Sequence, residues 1–462
     1  MISKQYIDEL KSNNINELYK LIQNCNQNKE LLFVLSNLGR LPDQFEGEYL
    51  LPFLKSPNDN IRLWTVKNMG KLKNGNYLQK LSEVAQNDKN SMIRREATSS
   101  IGRMRNPKAI PFLLELLKVD DPKIILQSIR ALLVFKYNSD VKRELSQLIN
   151  HPNEMVQMVI RKEYFPNKSL SKSKFHHIES PKSMQNTVVY GDVIETLKYV
   201  PDESIHLTFT SPPYYNARDY SIYQSYQQYL KFLAEVFKEV HRVTKEGRFF
   251  ILNTSPIIIP RISRQHSSKR YPIPFDIHPY LIDMGWEFID DIIWIKPETS
   301  VKNRNAGFLQ HRKPLGYKPN PVTEYVMVYR KKTDKLLDWN IKQYDIKLIN
   351  ECRVNGNYET SNAWEIDPVF DKVHSAVFPI ELCNRIITFY SYKKDLVFDP
   401  FAGSGTLGKA AQNLGRNFFL TEKERDYVKL IKQNVTDKPL FDENAPRFVT
   451  IEQFKELIEN EK

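Results

Sequence analysis

Two regimes of hydrophobic spacing divide the chain. In the first, apolar or small residues recur at i, i+4 and i+8, as in Ile61/Thr65/Met69, Ile93/Ala97/Ile101 and Ile124/Ser128/Leu132, which is helical spacing. The segments that begin at Ile61, Ile93 and Ile124 superimpose with offsets of 32 and 31 residues, and Val156 and Ile160 open a fourth copy 32 residues after Ile124. Gly39, Gly70 and Gly102 keep the same beat, each followed by Arg or Lys and then Leu or Met. A second apolar helix falls between copies, as in IPFLLELL from Ile110, and turn residues precede several copies (Ser56-Pro57-Asn58-Asp59, Asp121-Pro122, His151-Pro152-Asn153).

A unit of about 30 residues with two helices cannot bury its own apolar face, so the pattern predicts a solenoid rather than an ordinary helical bundle. It resembles short HEAT-type repeats and covers residues 1–165, with Met1 to Phe33 irregular, as a capping unit is. This region holds 25 Lys+Arg against 18 Asp+Glu, a net of +7. Arg62, Lys67, Arg94, Arg95, Arg103 and Arg105 sit on or just after the first helix of a repeat, where they form either a solvated face or a basic flank for nucleic acid. Residues 166–185 are Ser/Lys-rich with two prolines and no apolar period, and read as a linker. His176-His177 lies in it without an acidic or cysteine partner at ligand spacing, so a surface loop is expected there.

From Asn186 the pattern changes to short apolar strands alternating with helices: TVVYGD, VIETLKYV, IHLTFT, the long helix YQQYLKFLAEVFKEVHRV, RFFILNT, and later DIIWIKP, EYVMVYRK, DLVFDPF and FFLTEK. Such alternation predicts a parallel, doubly wound α/β sheet over residues 186–440, followed by a tail at 441–462. In these sheets ligands bind beyond the carboxyl ends of the strands, where both informative motifs fall. One is DPFAGSGTLGKA, Asp399 to Ala410: a strand ending in an acid, a glycine turn, a helix. Glycines let backbone approach a ligand and the helix start offers free N–H groups. Gly403, Gly405 and Gly408 formally match a dinucleotide fingerprint, while Ala410 stands where a phosphate loop needs a hydroxyl for Mg²⁺. The third reading is an S-adenosylmethionine loop, with Glu422, at the end of the next strand, taking both ribose hydroxyls. The other motif is Thr210-Ser211-Pro212-Pro213-Tyr214, directly after IHLTFT. Two prolines fix the backbone and remove two donors, leaving carbonyls and a hydroxyl as acceptors for a planar amine, with Tyr214 as a face for stacking.

With both motifs in place, residues 186–435 resemble the amino-group DNA methyltransferases, and the catalytic motif preceding the cofactor loop resembles their circularly permuted beta group. The resemblance implies a Rossmann-like domain with S-adenosyl-L-methionine as donor. It implies Ser211, Pro212, Pro213 and Tyr214 as catalytic residues. It implies Asp192, Thr210, Phe378, Pro379, Asp399, Pro400, Phe401, Gly403, Ser404, Gly405, Thr406 and Glu422 as cofactor-binding residues. Within the family, Ser before Pro-Pro is typical of N4-cytosine enzymes, and N6-adenine is the alternative. Ser211 and the Pro212 carbonyl would accept the two N4 hydrogens of a cytosine rotated into the pocket, aiming the nitrogen lone pair at the methyl group. C5-cytosine chemistry needs an attacking thiolate, and none of Cys25, Cys352 and Cys383 lies in the Ser211 loop. No metal is expected.

Composition adds the partner. Lys+Arg 67 against Asp+Glu 55 gives +12, compatible with a polyanion. Two stretches beside the expected pocket are basic and free of acid: one contains Arg261, Arg264, Lys269 and Arg270, the other Lys302, Arg304, Arg312, Lys313 and Lys318. Tyr271, Phe308 and Tyr317 interleave with them, which favours DNA contact over a merely solvated run. The 301–320 loop and the segment from Lys331 to Asn362, which has no clear strand–helix beat, are the candidates for target recognition. The resemblance also implies a cognate restriction endonuclease or other defence-system partner. Three scattered cysteines and no apolar run long enough to span a bilayer fit a reducing cytoplasm, and the resemblance implies a bacterial or archaeal one, beside the nucleoid. RNA methylation and a non-catalytic DNA-binding scaffold are the rival functions.

Overall fold

In the computed structural model the chain divides into two compact units, residues 1–168 and 169–462. The residues described are all except 1, 26, 73, 167–173, 216–222, 260, 264, 302–312, 318, 370–378, 436–444 and 462. The first unit consists of α1 (Lys4–Asn13), α2 (Ile15–Asn24), α3 (Asn28–Asn37), α4 (Asp59–Met69), α5 (Leu78–Asn87), α6 (Ser91–Arg103), α7 (Ile110–Glu115), α8 (Pro122–Leu132), α9 (Ser139–Gln147) and α10 (Glu154–Tyr164). The periodic residues Ile61, Met69, Ile93, Ala97, Ile101, Ile124 and Leu132 all enter one core. Asn58, Asn90, Asp121 and Asn153 cap α4, α6, α8 and α10, each side chain accepting backbone N–H groups of the first turn. Each cap is worth about 1 kcal/mol, so the polar turn residues set where every copy starts. The glycine beat has two causes. A Cβ on Gly70 would come within 2.6 Å of Ser100 Cβ and one on Gly102 within 2.7 Å of Ala131 Cβ, so these glycines let successive first helices close-pack. Gly39 instead turns the chain at φ +60°.

The basic residues of the repeats separate into two sets. Arg62, 5% exposed, donates to Asp88 through Nε (2.8 Å) and Nη2 (2.9 Å) and pairs with Asp59 at 2.8 Å. Arg95 repeats the contact one copy on, with Asp121 at 3.1 Å, and Arg94 donates to the Asp88 carbonyl at 2.9 Å. These arginines form a ladder between copies and are not a free basic flank.

The second unit is built on β1 (Thr187–Tyr190), α11 (Val193–Leu197), β2 (Ile205–Thr210), α12 (Tyr226–Val243), β3 (Thr244–Thr254), β4 (Ile257–Ile259), β5 (Lys269–Tyr271), α13 (Ile273–Asp283), β6 (Trp286–Ile295) and β7 (Thr323–Lys331). It continues with α14 (Leu337–Ile341), α15 (Ile346–Glu351), β8 (Ala363–Glu365), α16 (Ile380–Tyr390), β9 (Leu396–Asp399), α17 (Thr406–Asn413), β10 (Asn417–Glu422), α18 (Arg425–Val435), β11 (Arg447–Thr450) and α19 (Ile451–Asn460). The main sheet has the order β11-β1-β10-β9-β2-β3-β7-β6-β8. Helices α11, α12, α13 and α19 bury their apolar stripes in the core on one face, and α16, α17 and α18 in the core on the other.

Four features differ from the sequence expectation. The sheet is mixed, because β7 runs antiparallel to both β3 and β6. The expected tail is part of the fold: β11 pairs in parallel with β1, and Phe454 and Ile458 of α19 are buried. The end of the expected linker is docked, with Met184 buried and the Lys182 and Ser183 N–H groups donating to the Glu461 carboxylate at 2.7 and 2.8 Å. His177 is held there too: its carbonyl faces His206 Nε2 at 3.1 Å and its Nε2 faces Asn340 Nδ2 at 3.1 Å. Finally, the start of the 331–362 segment packs against the amino half of the sheet. Asn340 donates to the Glu246 carbonyl (2.9 Å), and Tyr344 donates to Asp395 (2.6 Å) in a buried cluster with Arg248. That part cannot read bases at the carboxyl edge.

Candidate active site

The carboxyl ends of β1, β10, β9, β2 and β3 share one edge of the sheet, and both motifs stand on it. The chain crosses from β2 to return at β9 beside it, so Thr210 and Asp399, 189 residues apart, are joined by a 2.6 Å hydrogen bond from Thr210 Oγ1 to Asp399 Oδ1. The same carboxyl oxygen accepts the Phe401 N–H at 3.0 Å. Burial pushes the Asp399 carboxyl up to about 7, with nearby Glu422 adding to the shift and the Thr210 and Phe401 donors opposing it. Glu422 ends β10, and its carboxylate accepts the Gly403 N–H (2.8 Å) and the Glu424 N–H (2.8 Å). Burial raises its pKa as well.

Between these acids the glycine loop is held tightly. Ala402 N–H donates to the Thr421 carbonyl at 3.1 Å, Thr421 Oγ1 to the Pro400 carbonyl at 2.8 Å and Asn434 Nδ2 to the Ser404 carbonyl at 2.8 Å. Ser404 Oγ and Thr406 Oγ1 lie 3.2 Å apart at the start of α17. Gly403 (φ 52°) and Gly405 (φ 79°) are left-handed, and a Cβ at Gly405 would press on Ile431 at 3.0 Å. Asp192 caps α11 by accepting the Ile194 N–H at 2.8 Å, and Gly191 N–H bonds the Glu422 carbonyl at 2.9 Å, so the ends of β1 and β10 meet. Pro379 is buried at the start of α16. Phe378 lies outside the described residues. Each glutamate oxygen that takes one N–H retains a further lone pair for a hydroxyl, and a buried carboxyl pair suits a cationic ligand. The loop therefore fits S-adenosylmethionine.

Ser211, Pro212, Pro213 and Tyr214 leave β2 at the same edge. Two residues that sequence reasoning did not single out, Asn253 and Glu324, sit behind them, with Lys296 beside Glu324. Asn253, near the end of β3, is 2% exposed. Its Nδ2 faces Ser211 Oγ at 3.5 Å and donates to Glu324 Oε2 at 2.7 Å, while its Oδ1 is buried without a partner. Tyr214 donates its hydroxyl to Glu324 Oε2 at 3.2 Å, and Lys296 pairs with Glu324 Oε1. Burial, then Glu324, raises the Tyr214 phenol well above its ordinary value, so it stays neutral. A polar residue ending the apolar run RFFILNT was a signal for Asn253. No local signal marked Glu324, because only the reversal of β7 brings its first residues to this edge. Tyr215 is buried among Tyr226 (ring centroids 5.5 Å), Tyr229 (5.8 Å) and Tyr271 (5.3 Å).

Of the expected DNA contacts, Arg261, Lys269, Arg270 and Lys313 are exposed. Lys269 and Arg270 lie on the β4–β5 hairpin that follows β3. Arg264, Lys302, Arg304, Arg312, Lys318 and the aromatic Phe308 lie outside the described residues. Tyr271 is half-buried, packed on Tyr215 and Tyr226 with Lys269 Nζ 4.9 Å from its ring centroid, and Tyr317 is 71% exposed. Among the described residues no cluster of His, Cys, Asp and Glu could hold a metal ion, and no helix is long and apolar enough to cross a membrane.

The site thus defines a methyltransferase that couples a sulfonium donor to an amine acceptor. Residues 205–433 match the family model for DNA methylase, and residues 47–133 match that for HEAT repeats. The second unit, most of which the DNA methylase model covers, is an S-adenosylmethionine-dependent DNA methyltransferase; the first is a HEAT-like helical unit. The chain is 26% identical over 292 residues to the Type II methyltransferase M.BglII of Bacillus subtilis, covering 61% of this chain and 78% of that one. It is 26% identical to M.Cfr9I of Citrobacter freundii (56% and 90% covered). With M.BslI of Bacillus sp. (strain NEB-606) it shares 28% identity, over only 27% of that longer protein. Among solved structures, the PvuII DNA methyltransferase (cytosine-N4-specific) aligns with 61% of this chain and 96% of its own at 19% identity, with a TM-score of 0.41.

Proposed function

We propose that the second unit methylates the exocyclic N4 amine of cytosine at a specific DNA sequence, as a member of the circularly permuted beta group. The observation that carries the reading is the hydroxyl of Ser211, ahead of two prolines, on a loop joined through Thr210 to Asp399 of the cofactor loop. S-adenosylmethionine supplies a methyl group on a positively charged sulfur. Asp399, Phe401 to Thr406 and Glu422 would hold it, Glu422 through the ribose hydroxyls, with Asp192 and Pro379 flanking. Ser211 Oγ and the Pro212 carbonyl would accept the amine hydrogens and turn its lone pair toward the methyl carbon; the N–C bond would form as the C–S bond breaks to leave a neutral thioether, and the surplus amine proton would pass to solvent. Pro213 keeps the loop rigid, and Tyr214, anchored by Glu324, stacks on the extruded ring. Asn253 holds Ser211 from behind. Most of the acceleration then comes from orientation. Arg261, Lys269, Arg270 and Lys313 grip phosphates around the pocket. The Type II relatives support a restriction-modification setting with a cognate endonuclease.

The test is methyl transfer to plasmid DNA followed by nucleoside analysis. N4-methylcytosine is expected. N6-methyladenine as the product would overturn the base assignment, and transfer to RNA alone would overturn the substrate. Ser211→Ala and Tyr214→Ala should abolish transfer with donor affinity nearly unchanged; a parallel collapse of donor affinity in both would refute these roles.

A further inference from the structure

The Arg62 and Arg95 ladder lies at the helix starts, together with Asp59, Asp88 and Asp121. The helix ends carry the other basic set. Arg40, Lys71 and Arg103 follow the glycines of the beat, one per copy, and Lys67 lies one turn before Lys71. Lys71 Nζ donates to the Gly39 carbonyl, next to Arg40, at 2.8 Å, and to Asn68 Oδ1 at 2.8 Å. Arg103 is tied to Ser100 at 2.7 Å and to Glu96 at 2.7 Å. Lys67 Nζ lies 4.6 Å from the Trp64 ring centroid. Burial holds the Lys71 pKa down, and Arg103, Lys11 and Lys67 push it further in the same direction. Among the described residues, Glu96 pairs with Arg103 and Asp8 with Lys11. No carboxylate lies within 4.0 Å of Lys71, Lys67 or Arg40 among the described residues. Lys71 is thus held on amide and carbonyl oxygens and Lys67 beside a ring, while Arg103 alone of the four pairs with a carboxylate among the described residues.

We propose that the ridge of Arg40, Lys67, Lys71 and Arg103 on the repeat unit docks the sugar–phosphate backbone of duplex DNA. First helices packed about 8–10 Å apart present one cation per copy along a line. A duplex carries a negative charge every ~1.7 Å of its axis, both strands counted, so a row of cations at this spacing faces a denser array of phosphates. These contacts add affinity and salt dependence and leave the recognition sequence to the methyltransferase unit. The choice of DNA as the occupant rests on the function proposed above.

The test uses the full chain. The side chains of Arg40 and Lys67 make no hydrogen bond within the described residues, so Arg40→Gln/Lys67→Gln spares the fold, and Lys71→Gln is the second variant. Binding to a plain duplex is measured against salt. The log–log slope should become shallower by about 0.9 for each phosphate no longer neutralised, with methyl transfer at saturating DNA unchanged. Lys80→Gln/Lys118→Gln, on side chains paired with Glu83 and Glu115 away from the ridge, should leave the slope alone. An unchanged slope in both ridge variants overturns the proposal, as does an equal change in the control pair. Loss of binding to polyglutamate with the DNA slope intact would also overturn it, in favour of an acidic protein partner. A wild-type chain that transfers no methyl group to DNA would sink the proposed function while leaving the slope comparison readable.

Discussion

Asp399→Asn separates the charge of the cofactor loop from its shape. The carboxyl is 1% exposed and pushed up to about 7, above its ordinary 3.8. Its folded pKa is raised, so the stability it contributes is complete below about pH 3.8, declines as pH rises, and is lost above pH 7. A carboxyl displaced that far costs up to about 4 kcal/mol when ionised, of which roughly 2–3 kcal/mol develops between pH 5 and pH 8. The amide keeps an acceptor for Thr210 Oγ1 and the Phe401 N–H and titrates nowhere. Without donor, the wild-type chain should therefore lose ground at alkaline pH: Asp399→Asn gains roughly 2–3 kcal/mol on it from pH 5 to pH 8 in urea unfolding. Donor binding should act in the opposite sense. At pH 7 the wild-type carboxyl is about half protonated, and a sulfonium beside it favours the anion. Binding should release about half a proton at pH 7 and about a tenth at pH 8. Calorimetry in buffers of different ionisation enthalpy reads this directly, and Asp399→Asn should remove the buffer dependence. Stability curves that stay parallel with pH, together with buffer-independent heats in wild type, would refute the reasoning.

Glu324→Gln should lower the rate of transfer at saturating DNA at least tenfold with donor affinity intact, because Tyr214 loses its anchor and Lys296 its counter-charge; an unaltered rate in single-turnover measurements would remove Glu324 from the site. Gly403→Val or Glu422→Ala should weaken S-adenosylmethionine, the first by placing a branched side chain at φ 52° and the second by freeing the loop and the ribose hydroxyls; equal affinity in both by calorimetry would move the donor elsewhere. Arg62→Ala should destabilise the repeat unit by about 3 kcal/mol, since Asp88 is left buried without its partner; a shift in urea midpoint no larger than that of Lys80→Ala would contradict the ladder.

The sequence by itself determined what is local or periodic. The 31- and 32-residue beat, its caps and its glycines set the repeat unit, because each copy makes the same contacts with the next. The Ser-Pro-Pro-Tyr run and the glycine loop named the chemistry, because a rigid acceptor loop and a backbone cradle need those residue types within a few positions. What the tertiary structure decided depends on strand pairing, which no short window encodes. The return of the chain to β9 beside β2 joins Thr210 to Asp399, and the reversed β7 delivers Glu324 to Tyr214. Edge pairing with β1 draws the apparent tail into the sheet as β11. The repeat arginines and lysines look alike along the chain. Only packing buries Arg62 against Asp88 at the helix starts and leaves Lys71 among cations at the helix ends, since a charge's partner lies one copy away in sequence but beside it in space.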